Sequence, residues 1–398
     1  MRAPLSAHKT HWGLAPQVVF LNHGSFGACP RAVLQHQSEL RARLEAEPVR
    51  FLARELEPLL DEARAALGGF VGAAAEDLAF VSNATTGVNT VLRNLRFQPG
   101  DELLTTDNEY NASRNALDAA AAEQSVKVVV ARLPWPVTSP ESVVDAVMAR
   151  VTPRTRLLLV DHITSQTALV MPLAELVRKL REQGVETLVD GAHGPGMVPL
   201  ALQALGAAYY TGNCHKWLCA PKGAAFLYVR RDLQADFKPL VVSHGHNSPR
   251  ADRSRFRLEF DWVGTVDPTP FLCIPTAIRV VGGLLPGGWA EVMESNREMA
   301  LAARRRLDAK LGNATPLCPE PMVGSMACVA LPDGFPEHPE PPLYLDPLHV
   351  RLFEEHHIEI PVTAWPRAPQ RHLRLSAQLY NSPADYEALA RALEALLR

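Results

Sequence analysis

Short apolar and β-branched runs alternate with helical stretches through the first two thirds of the chain. Leu78–Val81, Glu102–Thr106, Val126–Val130, Arg156–Val160, Val185–Val189 and Ala207–Tyr210 have strand length, and residues 113–122, 140–150 and 172–183 show helical periodicity between them. That alternation predicts a mainly parallel sheet wrapped in helices. Pro221-Lys222-Gly223 then turns the chain into Ala224–Val229, the expected antiparallel partner of the strand before it. Upstream, Pro30 opens a helix reaching about Glu47. A second helix is predicted from Val49 to Leu67, kinked at Pro58 and ended by Gly68-Gly69. Their leucine spacings are amphipathic and read as packing surface. Residues 232–275 lose periodicity, and a helix over Trp289–Leu311 leads into a smaller α/β segment at 315–398, with Pro-rich 332–347 as a loop. The expected organisation is a large domain over 21–275 and a small C-terminal domain over 276–398, with an N-terminal arm, 1–20, packing near the latter.

Ligands of an open α/β sheet sit beyond the carboxyl ends of its strands, and two of these ends carry reactive groups. The strand at Val185–Val189 delivers Asp190 and the one at Ala207–Tyr210 leads to Lys216. Singly, the first is a turn former and the second a surface amine. Together they suit pyridoxal phosphate chemistry, in which a lysine holds the cofactor aldehyde as a Schiff base and a carboxylate keeps the pyridine nitrogen protonated. Ser82-Asn83-Ala84-Thr85-Thr86-Gly87 follows a strand and starts a helix, whose free amides and hydroxyls suit a phosphate. Tyr110 lies just past another strand end, where a ring can stack on a flat cofactor. Asp161-His162-Ile163-Thr164-Ser165 ends a further strand at the same edge, and the glycines of Phe20-Leu21-Asn22-His23-Gly24-Ser25-Phe26-Gly27 permit a close-approach loop.

Composition narrows the class without naming it. The 398 residues are 47% hydrophobic and 21% charged, with a net charge of −3. Both signs are interspersed, which leaves no electrostatic footprint for nucleic acid or an anionic membrane, and neither is an expected partner. No apolar run has transmembrane length, the first ten residues lack the apolar core of a signal peptide, and a cytoplasmic location is expected. The six cysteines lack metal-ligand or disulfide spacing, so reduced thiols and no metal are expected. Arg250, Arg253, Arg255 and Arg257 with Phe256, Phe260 and Trp262 could pass for a nucleic-acid stripe. Interleaved Asp252, Glu259 and Asp261 argue instead for a subunit contact or a substrate-facing loop.

Taken in order, Leu21-Asn22-His23-Gly24-Ser25-Phe26-Gly27, Asp190-Gly191-Ala192-His193, His215-Lys216-Trp217 and Arg374-Leu375-Ser376-Ala377-Gln378-Leu379-Tyr380-Asn381 resemble the class V aminotransferase family, in its isopenicillin N epimerase-like branch. The resemblance implies a fold-type-I pyridoxal-phosphate enzyme working as a homodimer on a small amino-acid substrate. It implies that Lys216 forms the Schiff base, Asp190 pairs with the ring nitrogen, His193 approaches the ring hydroxyl and Tyr110 stacks. Thr85, Thr86 and His215 are the implied phosphate ligands. Asn213 stands where the family usually has serine, and Thr265, beside Gly264, corresponds to a contact from the neighbouring subunit. Arg374 is the implied holder of the substrate carboxylate, with Asn22 and His23 completing that end. No cysteine follows Cys328, and Ile360–Arg367 lacks the thiol that desulfurases use, which disfavours sulfur transfer. Epimerisation at Cα is the leading expectation, with Tyr110 or a water near His23 as proton donor on the opposite face. C–S β-elimination and transamination are alternatives. A non-catalytic binding role is a further one, opposed by the intact Lys216, Asp190 and Arg374 set.

Overall fold

The computed structural model describes residues 6–334 and 346–397. Seven strands build the larger sheet: β1 (Leu78–Val81), β2 (Glu102–Thr106), β3 (Lys127–Ala131), β4 (Thr155–Asp161), β5 (Glu186–Asp190), β6 (Tyr209–Asn213) and β7 (Ala225–Val229). Their order is β1-β7-β6-β5-β4-β2-β3. β2 to β6 pair in parallel, and β7 runs antiparallel to both neighbours. Helices cover both faces, so β2, β6 and β7 are buried along their whole length and read as continuous apolar or small-residue runs. Because β1, β2, β4, β5 and β6 all point the same way, their carboxyl ends open onto one edge.

The local departures from the predicted boundaries have physical reasons. The second helix, α2 (Leu56–Val71), is preceded by a π-helical turn at Phe51–Glu55. Pro58 has no N–H for the carbonyl of Arg54, and the widened turn just before it absorbs the missing bond. α2 also runs past Gly68-Gly69 to Gly72, whose φ of 65° provides the left-handed cap. Gly68 serves a close approach, since a Cβ there would lie 2.8 Å from the Ala73 carbonyl. β6 extends through Gly212, where a Cβ would meet the Phe226 ring at 2.7 Å.

The arginine-rich run is tied down by ion pairs within the chain. Arg250 pairs with Glu57, Arg253 with Glu57 and Asp61, and Arg257 with Asp61, Glu76 and Asp261, while buried Arg64 of α2 pairs with Asp61 and Asp261. These charges neutralise one another within the chain and pin a short helix, Arg255–Asp261, onto α2.

A second, antiparallel sheet has β10 (Arg371–Ser376) between β9 (Val362–Ala364) and β8 (Met326–Leu331). The connection at 332–347 lies mostly outside the described residues. Val19–Phe20 pairs in parallel with Ile358–Glu359, and Ser376 N–H donates to the Leu21 carbonyl, which laces the start of the chain to this sheet. The backbone then reaches Gly27, with φ of 71°, where a Cβ would sit 2.3 Å from the His215 carbonyl oxygen and 2.8 Å from Lys216 Cα. Only a glycine lets the loop rest on the lysine turn. Among the described residues no helix is long and apolar enough to cross a membrane. Gly27→Ala should lower stability by about 3 kcal/mol, read as a lower urea midpoint. An unchanged midpoint would show that the two backbones separate freely.

Candidate active site

Four strand ends converge on one buried amine. β2 leads to Glu109 and Tyr110, β4 to Asp161, β5 to Asp190 and β6 to Lys216, with Asp161 opposite Asp190 and Asp190 opposite Thr211 in the sheet register. Asp190 is 2% exposed, accepts from Ser113 Oγ at 2.7 Å and accepts from the Ala192 N–H at 3.1 Å. Lys216 Nζ lies 3.2 Å from His193 Nε2, and the Trp217 indole N–H donates to His193 Nδ1 at 3.2 Å. Burial drives the Lys216 amine down to about 8, helped by the charge of Arg374 and opposed by Asp190 and Asp161.

A helix start forms one end of the site. α3 (Ala84–Asn94) begins just after β1, and Gly87 lets it lie against β6, since a Cβ there would be 2.1 Å from Thr211 Oγ1. The Asn83 side chain accepts from the Thr86 N–H and Asn213 Oδ1 accepts from the Ala84 N–H, both at 2.8 Å. Asn213 thus orients the helix start in its own right, and the Thr85 amide and hydroxyl are left as donors. His215 places Nδ1 3.1 Å from the Ala224 carbonyl, and burial followed by the Lys216 charge lowers its pKa to about 4. Tyr110 is 41% exposed at the start of the next helix, Asn111–Gln124. Thr265 is exposed, and its neighbours Gly264 and Val266 line a cavity of about 360 Å³ together with Ser82, Thr86, Phe260 and Trp262.

A buried guanidinium forms the other end. Arg374, on β10, donates to the Ser165 carbonyl, to Asn22 Oδ1 at 3.1 Å and to Ser25 Oγ at 2.8 Å. Asn22 is itself held by Glu359 at 2.9 Å. Every acceptor on the fork is neutral, Nε has no partner, and burial lowers the guanidinium's pKa. His23 has both ring nitrogens engaged, by the Tyr380 hydroxyl at 2.9 Å and the Lys216 carbonyl at 3.1 Å. Burial lowers it to about 3, so it clamps the lysine turn and has no free nitrogen to hold a water.

Two residues of this site, Glu109 and Ser113, carried no functional reading in the sequence. Glu109, Asp161 and Asp190 each place a carboxylate oxygen within 4.8 Å of the others, fully buried. Glu109 Oε1 and Asp161 Oδ2 have no hydrogen-bond partner. Burial raises all three pKa values; the Asp190 charge raises Glu109 further, and Glu109 and Asp190 raise Asp161 further, which favours the protonated form of those two acids. Glu109 had a sequence signal in its place directly before Tyr110 at a strand end, and Ser113 in its place one helical turn after Tyr110. In the sequence Trp217 is only part of the His215-Lys216-Trp217 motif, without a role of its own.

The donor set fits one cofactor: an amine for an aldehyde, a carboxylate for a ring nitrogen, and a helix start for a phosphate. The protein is an enzyme that depends on pyridoxal 5'-phosphate. The chain belongs to the class V aminotransferase family, whose description, Aminotransferase class-V, matches residues 19–389. It is 39% identical to an isopenicillin N epimerase of Amycolatopsis lactamdurans over 96% of each chain. It is 32% identical to a probable chloroplastic L-cysteine desulfhydrase of Arabidopsis thaliana, covering 96% of this chain and 84% of that one. Among solved structures, a mutant of C-DES with glycine covalently linked to its pyridoxal phosphate shares the fold at a TM-score of 0.78. The identity is 21%, across 98% of this chain and 99% of that one.

The acid cluster makes stability pH-dependent. A carboxyl with a raised folded pKa contributes stability that is complete below its unfolded value, near 4.3 for glutamate, and is lost as pH rises through the folded value. Urea midpoints measured from pH 5 to 8 should therefore fall less steeply in Glu109→Gln, by up to about 1.4 kcal/mol per pH unit. Parallel slopes in the two proteins would mean that Glu109 is ionised.

Proposed function

We propose that the protein is an amino-acid epimerase that inverts Cα of an α-amino acid. The observation that carries this reading is Arg374, a buried cation that no carboxylate among the described residues neutralises. A buried charge without a partner is costly, and a substrate carboxylate supplies the partner in bidentate form. Asn22 and Ser25 hold the fork ready to receive it. Bound pyridoxal phosphate supplies an aldehyde carbon for the substrate amine and a ring that accepts the electron pair left at Cα. Lys216 would hold it, Asp190 would pair with its ring nitrogen, and His193 would serve its ring hydroxyl. Thr85, Thr86, Asn213 and His215 surround its phosphate.

With the carboxylate on Arg374, Lys216 Nζ takes the Cα proton from one face, a role that suits an amine lowered to about 8. The Tyr110 hydroxyl returns a proton to the opposite face. In this reading residues 21–275 bind the cofactor and 276–398 supply the carboxylate site. A homodimer belongs to the same proposal. Thr265 from one subunit reaches the phosphate end of the other, and exposed Leu240, Val241, Val242 and Val266 nearby provide apolar contact. Six unpaired cysteines support a reducing compartment such as the cytoplasm.

C–S β-elimination is the second reading, favoured by the likeness to a cysteine desulfhydrase and by a chemistry that needs no catalytic thiol. Incubating the holoenzyme with L-amino acids in heavy water should give D-products carrying deuterium at Cα. Deuterium exchange with full retention of configuration would contradict epimerisation, and pyruvate and ammonia from cysteine conjugates would establish elimination. Arg374→Ala should raise KM about 100-fold, the cost of removing one side of a buried ion pair.

A further inference from the structure

Trp217 directly follows Lys216 and is fully buried. Its indole nitrogen can only donate, so His193 Nδ1, 3.2 Å away, must present a lone pair. Burial above all, with the Arg374 charge nearby, holds the His193 ring far below the ordinary imidazole range and therefore at a single proton. That proton sits on Nε2. It points at Lys216 Nζ, 3.2 Å away, and an amine can accept it only through its own lone pair.

We propose that Trp217 is a positioning residue: its indole N–H fixes the Nε2–H tautomer of His193 and so selects the neutral, proton-accepting form of Lys216. The other charged groups around the lysine do not make this choice. Arg374 opposes its protonation and Asp190 favours it, both through space without a hydrogen bond to Nζ among the described residues. His162, the remaining imidazole at this edge, is turned to Tyr210 at 2.9 Å. Once the lysine nitrogen is committed to the cofactor, the same Nε2–H remains a donor for the ring hydroxyl. That consequence rests on the cofactor placement proposed above.

Two measurements on the holoenzyme test the proposal. Nitrogen-15 spectra of labelled histidine should show His193 with a bare Nδ1 and a protonated Nε2. In Trp217→Phe, which keeps an aromatic ring against His23 but removes the donor, the two tautomers should mix. The pH midpoint of the bound cofactor's visible absorbance should then move by about one unit or more. A proton on Nδ1 in the wild-type protein would overturn the proposal, as would an unchanged midpoint in a folded variant. Should Trp217→Phe fail to fold, the wild-type spectrum still decides. Absence of a visible band from the wild-type protein would contradict the cofactor placement instead, because the histidine spectrum is read without it.

Discussion

A lysine amine whose charge burial disfavours is the constraint on which this structure turns. Lys216 is useful only while it can lose its proton near neutral pH, and burial is the main force that achieves this. Burial in turn requires close cover on every side. Gly27 admits the N-terminal loop onto the lysine backbone, His23 clamps the Lys216 carbonyl, and His193 with Trp217 closes the side-chain end. The sheet supplies the floor, since parallel strands buried on both faces bring their ends to one dry edge.

The charges of the site are deliberately left unbalanced within the chain. At one end Arg374 is a cation held by neutral oxygens, and beneath the lysine three carboxyl groups crowd together without a contacting cation. Each imbalance matches a different part of the expected ligands, the guanidinium a carboxylate and the acids a protonated ring nitrogen. The raised pKa values of Glu109 and Asp161 disfavour charge there, while Ser113 and the Ala192 amide donate to the Asp190 carboxylate. On the proposed reading the folded state holds these groups in place before either ligand arrives, the condition for electrostatic catalysis.

The fold was largely legible because apolar runs of strand length recur between amphipathic segments, and each of the seven strands falls near its predicted place. Boundaries failed where glycine had a packing use that sequence does not announce, as at Gly68 and Gly212. The ion-pair network around Arg257 was not legible for another reason. Its partners Asp61 and Glu76 lie far away in the chain, and only tertiary structure joins them. Lys216, Asp190 and Arg374 stood out because strand ends and an ordered set of motifs framed them. Glu109 and Trp217 did not, since their roles depend on which atom of a neighbour they face. The engagement of both His23 nitrogens was equally invisible in one dimension.

The most direct test of the whole account is covalent. Borohydride reduction of the purified holoenzyme, followed by proteolysis and mass spectrometry, should find a pyridoxyl group on Lys216 alone, with no label in Lys216→Ala. A pyridoxyl group on another lysine, or none on the wild-type protein, would contradict the central claim that this buried amine holds the cofactor.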